Sequence, residues 1–69
     1  MNGKPDWKDA PEWAKFLAMD RDGDWFWFEN KPVLGARAWF EWKGKFELIS
    51  LEIPSENPFW RQTLEERPQ

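Results

Sequence analysis

The stretch Asp20-Arg21-Asp22-Gly23-Asp24-Trp25-Phe26-Trp27-Phe28 places a polar turn directly before four consecutive aromatic residues. Aspartate and glycine favour turns and left-handed backbone over a continuing helix, so the chain should reverse at residues 20–24. Large aromatic side chains favour extended backbone, which predicts a strand at residues 25–28. Because this strand is apolar on both faces, it must be covered on both sides or present one side to a partner.

The aromatic content explains how so short a chain could form a core. The sequence has 69 residues, with seven Trp, six Phe and no Tyr, His or Cys. A chain of this length buries only about 60% of its unfolded surface, and each large ring can bury roughly 150–250 Å². We therefore expect a single domain over residues 1–69 with most of the tryptophans in its core.

The same composition argues against catalysis and metal binding. Without His the chain lacks a ready general base near neutral pH, and without Cys it lacks a thiolate nucleophile and the usual soft metal ligand. The alternating acids of residues 20–24 are similar to the start of a calcium loop, but Trp25 and Lys31 occupy the positions that need Gly and Glu. We expect no catalytic residue, metal or cofactor.

The charge balance limits the classes of partner that the chain is expected to bind. With 13 acidic and 10 basic side chains, the net charge is -3, which opposes direct binding to nucleic-acid phosphates. The sequence has no apolar run that approaches 18 residues and no apolar segment near its start, so we expect no membrane span and no signal peptide. These features predict a soluble, cytoplasmic protein without direct affinity for nucleic acid or membrane.

An N-terminal helix is predicted at residues 10–19. Asp9 is placed as its N-cap, Pro11 lies in the first turn and Glu12 completes a capping box. Trp13, Phe16, Leu17 and Met19 would share its core face.

Two further strands and a short helix should follow the aromatic strand. We predict strands at residues 37–41 and 46–53, joined by a loop with Gly44 in the left-handed conformation. This hairpin would pair Glu41 with Lys45 and Phe40 with Phe46. Asn57-Pro58 is typical of the start of a helix, here over residues 57–66. The expected fold is α+β: an N-terminal helix packed on a three-stranded antiparallel sheet, with a short C-terminal helical segment.

Candidate partner-binding residues come from the acids and from one tryptophan. Acidic residues crowd the first strand and the hairpin, where they could simply be solvated or could imitate nucleic-acid phosphates in a partner's basic groove. Trp39 is the tryptophan best placed to anchor a protein partner, although bases or sugars are alternative ligands for exposed rings. The candidate partner-binding residues are Asp20, Asp22, Asp24, Glu29, Trp39, Glu41 and Glu47.

Three sequence blocks resemble small accessory proteins of tailed bacteriophages and prophages. They are Trp7-x-x-Ala10-Pro11-x-Trp13-Ala14, Ala18-x-Asp20-x-Asp22-Gly23-x-Trp25-x-Trp27-Phe28-x-x-x-Pro32 and Trp60-Arg61-x-Thr63-Leu64-Glu65-x-Arg67-Pro68. Together they span nearly the whole chain, whereas residues 33–53 follow no pattern of such proteins.

This resemblance implies an origin and a class of action. Such proteins with a known role often bind and inhibit a host enzyme or defence complex. Together with the acidic residues described above, the resemblance leads us to expect a stoichiometric inhibitor of host nucleic-acid machinery in the bacterial cytoplasm, such as an anti-CRISPR protein that binds an effector complex through an acidic, DNA-mimicking face. A phage structural or regulatory accessory protein that binds another protein through exposed aromatics is the alternative. A single-strand binder comes third, and the oligomeric state stays open.

Overall fold

Two adjacent strands form the centre of the fold. A computed structural model of the chain describes residues 4–41, 43–49 and 56–69. Within them, β1 (Phe16–Met19) pairs antiparallel with β2 (Trp25–Phe28). The Asp20 carbonyl oxygen accepts a hydrogen bond from the Gly23 N–H at 2.9 Å, and Gly23 has a φ of 95°. The predicted turn and the predicted aromatic strand are both confirmed.

The remaining elements are short. β5 (Phe46–Ile49) pairs with the other side of β2, and β6 (Glu65–Glu66) pairs with β1. The resulting antiparallel sheet has the order β5-β2-β1-β6. A separate hairpin joins β3 (Val33–Leu34) to β4 (Trp39–Phe40), and single 3₁₀ turns lie at Trp7–Asp9 and Trp60–Gln62.

The predicted α+β fold is wrong, because the described residues form a mostly β protein without an α-helix. In the region of the predicted N-terminal helix, residues 11–14 form a turn and the next residues form β1. The run Phe16–Met19 is apolar throughout, and β1 buries side chains of both faces, whereas a surface helix buries only one stripe. The cap also lies earlier than predicted, since Asp6 accepts the Lys8 N–H at 3.0 Å.

The predicted C-terminal helical segment is reduced to one 3₁₀ turn. Asn57 Oδ1 accepts the Phe59 N–H at 2.8 Å, but the N-cap of the 3₁₀ turn is Phe59, not Asn57 as predicted, and no side chain caps the turn. The helix does not continue because Thr63 Oγ1 donates to the Trp60 carbonyl at 2.7 Å and accepts the Met19 N–H at 2.8 Å. Thr63 thus turns the chain towards β1, and β6 follows.

The predicted hairpin register is also wrong. Phe46 lies opposite Phe28, and Phe40 lies opposite Val33. β2 offers a longer apolar edge than the two-residue β4, so β5 pairs there. The predicted strand at residues 37–41 is thereby shortened to β4, and the portion of the predicted third strand beyond Ile49 lies outside the described residues.

Glu29 explains how β5 reaches β2. Lys45 lies beside Glu29 instead of Glu41: the Glu29 N–H donates to the Lys45 carbonyl, and Glu29 Oε1 accepts the Lys45 N–H, both at 2.9 Å. Gly44 adopts the predicted left-handed conformation, with a φ of 91°. A Cβ at Gly44 would lie 2.5 Å from the Asn30 amide nitrogen, so glycine also permits this close approach.

The tryptophan side of the sheet is covered by residues 4–14, which we call the N-terminal strap. Ala14, Leu17 and Trp27 are buried together, and Trp7 and Trp13 pack against them. The Trp7 and Trp27 rings lie 5.0 Å apart between centroids. Burial of these rings gives the small domain its main core.

The C-terminal residues fasten the strap. Arg67 Nη1 donates to the Pro11 carbonyl at 3.0 Å and to the Ala14 carbonyl at 2.7 Å, and its guanidinium lies over the Trp7 ring. Glu65 accepts hydrogen bonds from the Trp7 indole and from Lys4, the latter at 2.6 Å. The core therefore depends on contacts between distant parts of the sequence.

Replacing Arg67 with Ala should destabilise the fold by about 2 kcal/mol or more, because two partly buried carbonyls lose a charged donor. Urea unfolding followed by Trp fluorescence measures this loss. Arg21→Ala is the matched control, since Arg21 is exposed and surface substitutions usually cost less than about 0.5 kcal/mol. Equal stability of the Arg67→Ala variant and the control would show that the Arg67 hydrogen bonds contribute nothing to stability.

Glu65 should make the stability of the fold depend on pH in the acidic range. Hydrogen bonds from Lys4 and Trp7 lower the pKa of the Glu65 carboxyl below its ordinary value. Its stabilisation is therefore present above the unfolded-state pKa and is lost as the pH falls through the lowered folded-state pKa. Glu65→Gln should be less stable than wild type at pH 7, and the two unfolding curves should converge in acid. The exposed neighbour Glu66 provides the control variant Glu66→Gln, and a constant Glu65→Gln difference across this pH range would contradict the assignment.

Candidate partner-binding face

The structure brings three of the predicted acids together in the turn between β1 and β2. Asp22 is exposed, and Asp20 and Asp24 are half-buried. Burial raises the pKa of the Asp20 carboxyl, and the negative charges of Asp24 and Asp22 raise it further, against a hydrogen bond from the Trp39 backbone that lowers it. The turn is therefore a compact acidic group.

The other predicted acids lie apart from this turn. Glu29 follows the opposite end of β2, about 16 Å away along an extended strand, and its carboxylate is bound to the Lys45 backbone. Glu47 lies on β5 opposite Trp27. Glu41 is exposed and directly follows β4. A single acidic surface that combines Glu29 with the three aspartates is therefore not formed.

Trp39 is half-buried and serves the packing of the hairpin. Its ring meets Trp60 edge to face, with centroids 6.3 Å apart, and Trp60 is buried. Among the residues that the structure describes, Trp39 Nε1 is the one buried side-chain polar atom without a hydrogen-bond partner. The ring thus holds the hairpin against the Trp60–Gln62 turn, and its role as a partner anchor stays a prediction.

Three exposed apolar residues of the β3–β4 hairpin are not among the partner-binding residues predicted from the sequence. Val33, Leu34 and Phe40 are each about half exposed, at 51%, 48% and 56%. Val33 and Phe40 are cross-strand partners, so their side chains lie side by side. The Phe40 ring packs on Gly35, where any Cβ would collide with it. The sequence signal was weak, because two-residue strands carry no readable alternation.

Two hydrogen bonds join the apolar hairpin to the acidic turn. The Trp39 N–H donates to Asp20 Oδ1 at 2.9 Å, and the Arg21 N–H donates to the Arg37 carbonyl at 3.3 Å. The acidic turn therefore lies next to the hairpin, and we call the two together the composite face. It consists of Asp20, Asp22, Asp24, Val33, Leu34, Trp39, Phe40 and Glu41. Val33 and Phe40 lie on one side of the hairpin, and Leu34 and Trp39 lie on the other.

The described residues offer few features of other kinds of site. Within residues 4–41, 43–49 and 56–69, no group of three or more acidic side chains is arranged to hold a metal ion. No helix of these residues is long and apolar enough to cross a membrane. A depression of about 390 Å³ beside β1 and β6 is lined by Lys15, Phe16, Glu66, Arg67, Pro68 and Gln69. Its Arg67 is already engaged with the strap.

We expect the Asp20 side chain to stabilise the fold as a hydrogen-bond acceptor and its negative charge to lower that stability. Asp20→Ala should lose about 1–2 kcal/mol of stability, because the Trp39 N–H loses its acceptor. Asp20→Asn keeps an acceptor oxygen and should be at least as stable as wild type at pH 7. The sign follows from the raised pKa, since ionisation of Asp20 costs stability as the pH rises through that value. Equal losses for both variants in urea titrations would contradict this account.

Comparisons with known proteins give no relative for the chain. No protein-family model, curated protein or solved structure matches it. The similarity to phage accessory proteins therefore stays a prediction, and the composite face is defined by its own geometry and charge.

Proposed function

We propose that this chain is a non-enzymatic binding protein that attaches stoichiometrically to a partner protein through the composite face. The observation that carries the proposal is the hydrogen bond from the Trp39 N–H to Asp20 Oδ1. This bond holds an exposed apolar hairpin beside an acidic turn, so both kinds of contact are available to one partner.

The hairpin supplies the apolar part of the contact. Val33 and Phe40 present adjacent half-exposed side chains on one side of it. Large apolar side chains that enter a desolvated pocket contribute a major share of binding energy at protein interfaces. The partner should therefore offer an apolar pocket that accepts the Phe40 ring.

The turn supplies the electrostatic part. Asp22 and Asp24 lie next to Asp20, and Glu41 adds an exposed carboxylate beyond β4. Such a group favours a partner with basic residues around its apolar pocket, and complementary charge speeds association and improves specificity. Proteins that bind nucleic-acid phosphates carry basic surfaces of the kind that this acidic group would attract.

The sequence resemblance adds the biological class to this proposal. The partner would be part of host nucleic-acid machinery, such as a CRISPR effector complex, and the chain would be a phage or prophage inhibitor that acts in the bacterial cytoplasm. A phage structural or regulatory accessory protein is the second candidate. It is favoured by the half exposure of three hairpin side chains, which could bind a protein without help from the acids.

Two double variants test the composite face. Tagged wild-type protein is used to capture partners from bacterial lysate, and mass spectrometry identifies them. The affinity of the recovered protein is then measured for Val33→Ser/Phe40→Ser and for Asp22→Asn/Asp24→Asn. The first pair should weaken binding by about 100-fold or more, and the second by about tenfold with a smaller salt dependence.

Matched variants control for loss of apolar area and of charge elsewhere. Phe59→Ser removes an exposed ring outside the face, and Glu12→Gln/Glu56→Gln removes two exposed acids, so both should bind as wild type does. Wild-type binding by both test variants would overturn the proposal. Loss confined to the hairpin variant, with a virion protein as the partner, would favour the accessory protein over the inhibitor.

A further inference from the structure

A different surface, the outer edge of β5, has the properties of a self-association site. β5 is the terminal strand in the order β5-β2-β1-β6, so among the described residues no strand pairs with its outer side. Open strand edges present unpaired backbone groups that can accept another strand. This edge lies on a different strand from the composite face, so self-association through it is independent of the proposed function.

The hydrogen-bond pattern shows which backbone groups point outwards. Glu29 and Lys45 exchange hydrogen bonds across the β2–β5 junction, so the N–H and C=O of Lys45 point towards β2. In an antiparallel ladder this direction alternates along the strand. The backbone groups of Glu47 therefore also face β2, whereas those of Phe46 and Leu48 face the open edge.

The side chains at this edge are apolar on one face of the sheet. Phe46 is 52% exposed and Leu48 is 54% exposed. The Phe46 ring lies 6.3 Å from the Phe26 ring and 6.5 Å from the Phe28 ring, between centroids. A phenylalanine cluster thus runs from inside the sheet to its edge and stops at a half-exposed ring.

The charges on β5 favour a second copy of β5 as the pairing strand and favour one register of that pairing. Lys45 and Glu47 lie on the opposite face from Phe46, because side chains alternate along a strand. If Phe46 faces Phe46 of a second copy, Lys45 of each copy lies opposite Glu47 of the other, which gives two opposite-charge pairs. A shift that places Phe46 opposite Leu48 would put Glu47 directly opposite Glu47, which is destabilising.

We infer that the chain forms a symmetric homodimer in which two β5 strands pair antiparallel about Phe46. Two hydrogen bonds join the Phe46 backbones, the two Phe46 rings extend the phenylalanine clusters into one, and Lys45 and Glu47 pair across the axis. Leu48 meets Gly44 of the second copy, which has no side chain to obstruct it. The same surface patch serves both copies, as a two-fold interface requires, and the two four-stranded sheets become one.

Charge reversal tests both the dimer and its register. In sedimentation equilibrium on the full chain from about 10 µM to 1 mM, wild type should pass from monomer to dimer. Lys45→Glu alone and Glu47→Lys alone each create two like-charge pairs and should raise the dimer Kd by at least about tenfold. An equimolar mixture of these two variants, and the double variant Lys45→Glu/Glu47→Lys, should each recover the wild-type Kd.

This recovery shows that each variant remains folded, so a folding defect cannot imitate the result. Lys8→Glu reverses an exposed charge outside β5 and should dimerise as wild type does. A wild type that stays monomeric at about 1 mM, or a Lys45→Glu variant that dimerises like wild type, would overturn the inference. If wild type rescued Glu47→Lys as fully as Lys45→Glu does, position 47 would lie opposite position 47, and the inference would equally be overturned.

Discussion

The need to cover two adjacent strands that are apolar at every position governs the rest of the structure. β1 and β2 pair along their whole length, and neither has a polar side chain to leave in water. The N-terminal strap covers the tryptophan side, β5 and β6 extend the sheet on its two edges, and Thr63 binds the backbone at the end of β1. The other elements of the fold thus cover the short β1–β2 hairpin with few residues.

Asp20 connects the acidic turn with the β3–β4 hairpin, but its charge opposes the stability of this contact. Its carboxylate accepts the backbone N–H of Trp39, which positions the β3–β4 hairpin, yet it lies beside two other aspartates and is partly withdrawn from water. A neutral acceptor would satisfy the same hydrogen bond without the repulsion. The Asp20 position therefore combines a favourable hydrogen bond with an unfavourable charge.

Structure could be predicted from the sequence where a local rule decides it. The prediction failed where a contact with residues elsewhere in the chain decides the structure. The turn at residues 20–24, the strand Trp25–Phe28 and the left-handed Gly44 follow from side-chain chemistry at those positions. Phe16–Met19 satisfied both a helical and a continuous apolar pattern, and its pairing with β2 decided between them. The acidic turn was likewise visible in the sequence, but its junction with the hairpin depends on a contact between Asp20 and Trp39 that no local pattern specifies.

The attachment of the N-terminal strap by Arg67 has a consequence for the order of events during synthesis. The β1–β2 hairpin is local and can form once residue 28 has been made, whereas Arg67 donates to carbonyls more than fifty positions earlier. Until then the Trp7 and Trp13 rings have no secured place over the sheet. The nascent chain therefore leaves these two rings exposed until residue 67 has been made, and unprotected apolar surface is open to chaperones and to aggregation.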